Sequence, residues 1–383
     1  MMGAMKAEFY KSQIKQLLAM VERNQGDEAV ATASLPVADL LDPRRLHQEQ
    51  AMFRRLPLIV GHSSEVSEAG DYIVRELDGR SWLIVRGQDG VARAFYNYCQ
   101  HRGTKLVHQP AGSCQRRFVC PYHAWTYNNQ GDLVGVPRAD LFPGLDKAGK
   151  GLKPADLQED YGFLWLTQDS GTSPVVADYL GGLEAELRML GLQDYYLYFD
   201  KTRTLNANWK LPIFAFLEAY HIGALHKQSI GDFFIDNVAY SELFDPHIRS
   251  FVPRKNVLEL ADTDLSKENM SEYITPTNII FPNVCMISHP TSMTVISLFP
   301  GVTPGTSSWR HMLLTPHQPK TESERAHYDK TIEVLDGVTY LKEDFWVSEQ
   351  LQEGINAGAI DELTLGKNEQ MLAVFNQLVE KYL

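Results

Sequence analysis

Residues 99–125 read CQHRGTKLVHQPAGSCQRRFVCPYHAW, and two short pairs stand out in them: Cys99-x-His101 and Cys120-x-x-His123, with eighteen residues between His101 and Cys120. Thiolate and imidazole are ligands for zinc and for iron–sulfur clusters alike, so the donor set alone leaves both open. The order of the donors says more. Each short loop supplies one Cys and one His, so two loops could give one iron both cysteines and a second iron both histidines. Gly103 and Pro121 suit tight turns, and backbone N–H groups together with Tyr122 are expected to donate to cluster sulfurs. Cys114 and His108 lie between the pairs but off the spacing and are read as bystanders.

Outward from this stretch, the chain of 383 residues is too long for one compact core and comfortable for two domains. Its 36 basic and 48 acidic residues give a net charge of −12, which disfavours nucleic acid and anionic membranes as partners. No apolar run approaches the length of a transmembrane helix, and the N-terminal MMGAMKAEFYKSQ lacks the apolar stretch of a secretory signal. Four cysteines in a chain this long make no disulfide scaffold; with Cys285 a spare, cytoplasmic metal chemistry is the expectation.

The pattern predicts an amphipathic helix over 5–24 and a second one starting at Asp42 as N-cap with Pro43 in the first helical position. From about residue 60 period-two strands take over, with Asp78-Gly79 and Asp89-Gly90 as hairpin turns, through to YGFLWLTQ at 161–168. The Gly/Ser/Pro stretch 170–174 marks a boundary. Beyond it come a helix over 176–191, a helical segment IFAFLEAYHIGALHK, an antiparallel meander from NIIFPNVCMISH to WRHMLLTPHQ, and closing helices. The last of these sets Leu372, Phe375, Val379 and Tyr382 on one face. The layout is an all-β module inserted near the front of an α+β domain.

The helical segment holds Glu218, His221 and His226. Glu218 and His221 share a face, but two histidines five residues apart stand about 140° apart on an ideal helix. They could meet at one metal only if the helix bulges or ends between them, which Gly223 eases. Taken alone, H-x-x-x-x-H is a weak signal.

Taken together, CQHRG…CPYHAW, with Arg102 and Trp125, resembles the Rieske motif of the large subunits of ring-hydroxylating oxygenases, and NWK…E-x-Y-H-x-x-x-x-H resembles the same family's mononuclear iron site. The resemblance covers about residues 40–360. It implies a Rieske [2Fe-2S] cluster on Cys99, His101, Cys120 and His123, and a mononuclear non-haem Fe(II) on His221, His226 and a distant carboxylate. In YLKEDFWVSEQLQEGI the matching place is Asp344, with Glu343, Glu349 and Asp361 as competitors. Glu218 takes the place of the family's bridging carboxylate, which links an iron-ligand His to a cluster-ligand His of a neighbouring subunit; no partner for it is evident within the chain. Many relatives carry Glu-Asn-aromatic shortly before that position, where this chain has Phe214-Ala215-Phe216, so no role for the Asn carries over.

The implied fold is α+β: N-terminal helices over 1–56 packing on the catalytic domain, an all-β Rieske domain over 57–169, and a helix-grip catalytic domain over 170–383, an antiparallel sheet around a long helix. The implied activity is that of a terminal oxygenase fed by a separate reductase or ferredoxin, since no G-x-G-x-x-G follows a strand. The expected assembly is a homotrimer, with or without a small β subunit. Rivals are a pure electron carrier and an iron-free ligand-binding module. Phe214, Phe216, Phe233, Phe234, Ile235, Val284 and Met286 are expected near the pocket and suit an aromatic or largely apolar substrate. A quaternary ammonium compound or an aliphatic chain is the alternative, the first wanting an aromatic cage with a carboxylate.

Overall fold

The computed structural model describes residues 7–114, 116–169, 171 and 173–383; Met1–Lys6, and Ser170 and Thr172 of the expected boundary, lie outside the described residues. The chain forms two compact units, one of Met1–Met52 with Leu180–Leu383 and one of Phe53–Tyr179.

The Phe53–Tyr179 unit is all β. A seven-stranded antiparallel sheet runs in the order Leu58–His62, Phe163–Thr167, Pro154–Asp160, Ala92–Tyr96, Arg80–Arg86, Asp71–Leu77, Ala111–Ser113. Asp78 and Gly79 both take positive φ, 49° and 69°, so the two-residue turn follows the strands' own twist. A three-stranded sheet of Arg117–Val119, Thr126–Asn128 and Leu133–Gly135 adds a second layer of pairing. The core here gathers Leu83, Val85, Phe95, Trp125 and Tyr127 around Cys99 and Cys120, which are themselves buried.

The other unit is built on a second seven-stranded antiparallel sheet, ordered Tyr196–Leu205, Ser307–Thr315, Met293–Pro300, Val284–Ser288, Ile274–Ile280, His247–Pro253, Tyr240–Phe244. Six of these strands follow one another: the last four cover the expected meander, and Tyr240–Phe244 and His247–Pro253 extend it at its start. Thr321 and Glu324 form a capping box that starts a long helical run, α over Glu322–Val334, π over Leu335–Asp344, then α over Phe345–Asn356. This is the sheet-and-long-helix arrangement expected. The N-terminal helix spans Lys11–Arg23, and Asp42 caps the helix Pro43–Arg55 by accepting from the Arg44 N–H at 2.8 Å. Glu49 binds the Lys210 ammonium and accepts from the Trp209 indole N–H at 2.7 Å, all three buried, which fastens the early helix to the catalytic sheet's first helix. Among the described residues no helix is long and apolar enough to cross a membrane.

Two predicted helices are broken. The 176–191 stretch divides into Val176–Leu180, a 3-10 turn and Glu184–Leu190. IFAFLEAYHIGALHK yields Lys210–Ala215 and then, after a bend, only Ile222–Leu225.

Candidate metal centres

In the all-β unit the two Cys/His loops are closed by matching bonds. Cys99 N donates to Thr104 O and Gly103 N to Cys99 O, at 2.8 and 2.9 Å; Cys120 N donates to Trp125 O and Ala124 N to Cys120 O, at 2.8 and 3.0 Å. Each loop therefore turns back over six residues, with the fifth in the left-handed region, Gly103 at φ 76° and Ala124 at φ 55°. Glycine meets that demand freely; Ala124 accepts strain for it.

The loops bring like to like. The Cys99 and Cys120 thiols lie in one core cluster, near enough to act on each other's charge, and the His101 and His123 rings lie 4.7 Å apart. His101 stacks flat on Trp125, 4.8 Å between centroids and 8° between planes. Burial first, then the charges of His123 and Arg102, draws the His101 pKa below its ordinary value, so the ring is neutral, as a ligand must be. Nδ1 of His123 is buried without a hydrogen-bond partner among the described residues. A sulfur pair, an imidazole pair and an orphaned ring nitrogen fit a [2Fe-2S] cluster with two thiolates on one iron and two imidazoles on the other. The donor expected from Tyr122 comes instead from Tyr127, whose hydroxyl sits 3.3 Å from Cys99 Sγ and accepts from Gln100 N at 2.9 Å; the Tyr122 ring is exposed and lies against His123.

The second centre lies in the other unit. Asn208 Oδ1 accepts from Lys210 N, starting the helix Lys210–Ala215, and the chain bends after it. Glu218 Oε2 then takes the backbone N–H groups of Tyr220 and of His221, the latter at 3.2 Å, and so ties the turn that leads into the short Ile222–Leu225 helix. His221 and His226 stand at the two ends of that single turn, which is how residues five apart come to face one another. Gly223 serves close approach rather than a bulge: a Cβ there would fall 2.4 Å from Asp236 Oδ2, whose partner oxygen accepts the Gly223 N–H at 3.0 Å.

Asp344 enters at the end of the π-helical stretch, where the wider turn re-aims the side chain. One donor atom each of His221, His226 and Asp344 lies within 4.8 Å of the others. Nε2 of His221 and of His226 stand 3.6 and 3.2 Å from Asp344 Oδ1, an oxygen that is buried and accepts no hydrogen bond of ordinary geometry. Both Nδ1 atoms are occupied elsewhere, His221 by Glu218 and His226 by Glu343 at 2.7 Å. Each ring is thus held in one tautomer with Nε2 free, the arrangement in which carboxylates orient metal-bound histidines. Burial works against charge on both rings, yet Glu218 and Asp344 for His221, and Asp344 and Glu343 for His226, outweigh it and raise their pKa values. The site favours a positive charge, and its donor set suits a mononuclear iron with positions left open.

Glu218 therefore has partners within its own chain, contrary to expectation, and of the three competitors to Asp344 only Glu343 is near, behind His226. Glu349 instead accepts from Asn206, at 2.9 Å from its backbone N–H.

The three donors open on a cavity of about 480 Å³. Of the expected pocket residues Phe216, Phe233 and Phe234 line it; Phe214, Ile235, Val284 and Met286 do not. Phe214 packs edge-on against Phe375, and Val284 and Met286 are buried in the sheet core. Sequence reasoning missed Arg254, Thr275, Thr277, His289 and Ser292, which line the same cavity.

Residues 192–383 match the family model for the ring hydroxylating alpha subunit (catalytic domain), and residues 57–145 that for the Rieske [2Fe-2S] domain. The chain is 35% identical over 182 residues to the carnitine monooxygenase oxygenase subunit of Acinetobacter baumannii, covering 47% of this chain and 48% of that protein. It is 34% identical over 192 residues to the large oxygenase component of the naphthalene 1,2-dioxygenase system of a Ralstonia species, covering 48% and 42%. The chain thus spans about half the length of the curated relatives it matches. A solved quaternary ammonium Rieske monooxygenase superposes over 93% of this chain and 96% of its own, with a TM-score of 0.79 and 24% identity, and so shares the fold.

Proposed function

This chain belongs to the ring-hydroxylating alpha-subunit family, and we propose that it is the terminal oxygenase component of a Rieske non-haem iron system. The observation that carries the reading is the convergence of His221, His226 and Asp344 at the wall of a largely apolar cavity, in a chain that also pairs Cys99 with Cys120 and His101 with His123. When bound, the cluster supplies single electrons, and the mononuclear iron supplies the place where O₂ and two electrons yield one or two oxygen atoms for insertion into substrate.

The chain's own residues divide the remaining work. Cys99, His101, Cys120 and His123 would hold the cluster, and the Tyr127 hydroxyl would donate to the Cys99 sulfur once it is a ligated thiolate. His221, His226 and Asp344 would hold the iron at the wall of the cavity. Glu218 and Glu343 fix the two rings, and Glu218 is the carboxylate through which a neighbouring subunit's cluster is coupled to His221. Phe216, Phe233, Phe234 and Tyr340 keep water from the open side and seat an apolar substrate body. Electrons come from a separate reductase or ferredoxin, the active unit is a homotrimer with or without a β subunit, and the setting is cytoplasmic. A report of inter-subunit electron transfer in the structurally similar quaternary ammonium enzyme supports a ring of subunits here.

The substrate reading is a small, aromatic or largely apolar molecule, hydroxylated, dihydroxylated or demethylated. A quaternary ammonium substrate is the second reading. It is favoured by the aromatic rings of Phe216, Phe233, Phe234 and Tyr340 sharing the cavity with Glu218 and Asp344, since aromatic faces and carboxylates both attract such a cation.

Metal analysis of purified protein tests the class. Three iron atoms per chain are expected; two would leave an electron carrier or an iron-free binding module. With a reductase supplied, ¹⁸O from labelled O₂ must appear in the product.

A further inference from the structure

One wall of the cavity is a single face of the catalytic sheet, and its register sets what that face presents. Val252 pairs with Thr275, Thr277 with Ile287, and Ile287 with Thr294. Side chains alternate along a strand, so Val252 and Arg254, Thr275 and Thr277, and Ile287 and His289 point the same way. All six line the cavity.

Arg254 is out of keeping with this wall. Its Nε is buried with no hydrogen-bond partner, and among the described residues its guanidinium has no carboxylate within ion-pair distance. Its guanidinium lies over the Phe234 ring, 5.6 Å from the guanidinium carbon to the ring centre. The fully buried arginines of this unit are matched, Arg249 by Glu186 and Glu242, Arg310 by Asp200, Arg45 by Glu49 and Glu380, whereas Arg254 is half-buried and is not. A guanidinium does not lose its charge to escape burial, so it stays a cation facing the cavity. Burial pulls its pKa below the ordinary value with no acid to offset it.

Two further donors stand by it without partners. The hydroxyl oxygens of Thr275 and Ser292 are buried and make no hydrogen bond among the described residues, and both residues line the cavity. Ser292 lies on the turn that carries His289, whose pKa is pushed down to about 3 by burial first and by Arg254 next, so the ring beside the guanidinium is neutral. A half-buried cation without a carboxylate partner and two unused hydroxyls, all lining one cavity, form an incomplete hydrogen-bonding set that an anion would complete.

We infer that the substrate carries a carboxylate, or an oxyanion of like shape, that docks on Arg254 and accepts from Thr275 and Ser292, placing its apolar or trimethylammonium body among Phe216, Phe233 and Phe234. This deepens the oxygenase reading and rests on it for the word substrate. It narrows both substrate readings in one way: an uncharged hydrocarbon leaves Arg254 unpaired, and a simple quaternary ammonium ion meets repulsion there, whereas an organic acid or a betaine-type zwitterion satisfies the wall.

Calorimetric titration of the iron-loaded full chain with matched pairs tests it: hexanoate against hexanamide, phenylacetate against phenylacetamide, and 4-(trimethylammonio)butyrate against its methyl ester. At least one acid should bind on the order of tenfold to a hundredfold more tightly than its neutral partner, as charge-assisted hydrogen bonds allow. Arg254→Met should erase that preference and Arg254→Lys retain part of it, the visible cluster spectrum and iron content showing that each variant is folded. Equal affinity within every pair, no binding of any acid, or an undiminished preference in Arg254→Met overturns the inference; if Arg254→Met fails to fold, the wild-type pairs and Arg254→Lys decide. Oxygen uptake with an added reductase separates the two readings. Acid preference without turnover keeps the docking wall and removes the oxygenase; turnover of neutral partners without acid preference does the reverse.

Discussion

Nδ1 of His226 lies 2.7 Å from Oε2 of Glu343, and this contact separates the roles of two adjacent acids. Glu343 stands behind the ring, also accepting from Ser229 Oγ at 2.5 Å, while Asp344 stands before it with a free buried oxygen. Asp344→Ala should therefore lose the mononuclear iron and turnover while the cluster spectrum persists. Glu343→Gln should keep all three donors but weaken iron affinity by roughly 10–100-fold, the usual cost of losing an orienting partner. Competition against a chelator, read by iron content, distinguishes them; full iron retention in Asp344→Ala would transfer the ligand role to Glu343.

Glu218 Oε2 accepts from the Tyr220 and His221 backbone, but Oε1 meets the His221 ring alone and has a second lone pair to offer a neighbour. Glu218→Gln keeps the size and loses the charge that favours the ring N–H. Cluster reduction and iron binding should survive, while cluster reoxidation under single-turnover mixing with substrate and O₂ slows by orders of magnitude. Reoxidation at the wild-type rate would remove the bridging role.

The buried trio of Glu49, Lys210 and Trp209 carries a stability prediction. Burial lowers the Lys210 pKa despite Glu49, so the ammonium is already unfavourably placed. Glu49→Ala leaves it unpaired and should cost about 3–5 kcal/mol, whereas the double change Glu49→Leu with Lys210→Met should recover most of that. Denaturant melts of the four proteins measure the coupling. Additive losses would show the pair to be incidental.

What could be read from the sequence was what local spacing controls. The cluster loops were legible because all four donors fall within 25 residues, and the Asp78-Gly79 hairpin because two positive φ values need those residue types. The break before His221 was not, since apolar spacing runs on through Phe214, Leu217 and Ile222 while the bend depends on Glu218 turning back onto its own backbone. Asp344 was reached through resemblance alone, for its partners lie 118 and more residues away and only the fold brings them together. Arg254 was missed for the same reason: it lies just past the strand His247–Pro253, and only the fold brings it to one cavity with Thr275, His289 and Ser292.

Cluster potential is the readout for the first centre. Replacing a neutral imidazole by a thiolate adds negative charge to the oxidised and reduced forms alike and penalises the reduced form more. His123→Cys should therefore keep an iron–sulfur chromophore and fall in potential by on the order of hundreds of millivolts, the gap between imidazole-ligated and all-thiolate clusters. Tyr127→Phe removes the hydroxyl 3.3 Å from Cys99 Sγ. A hydrogen bond to sulfur favours the electron-rich reduced state, so its loss should shift the potential in the same direction by a smaller amount. Tyr122→Phe, which changes an exposed ring, should leave the potential where it was. Spectroelectrochemical titration of the three variants orders the shifts, and a Tyr122→Phe drop larger than that of Tyr127→Phe would return the sulfur donor to Tyr122.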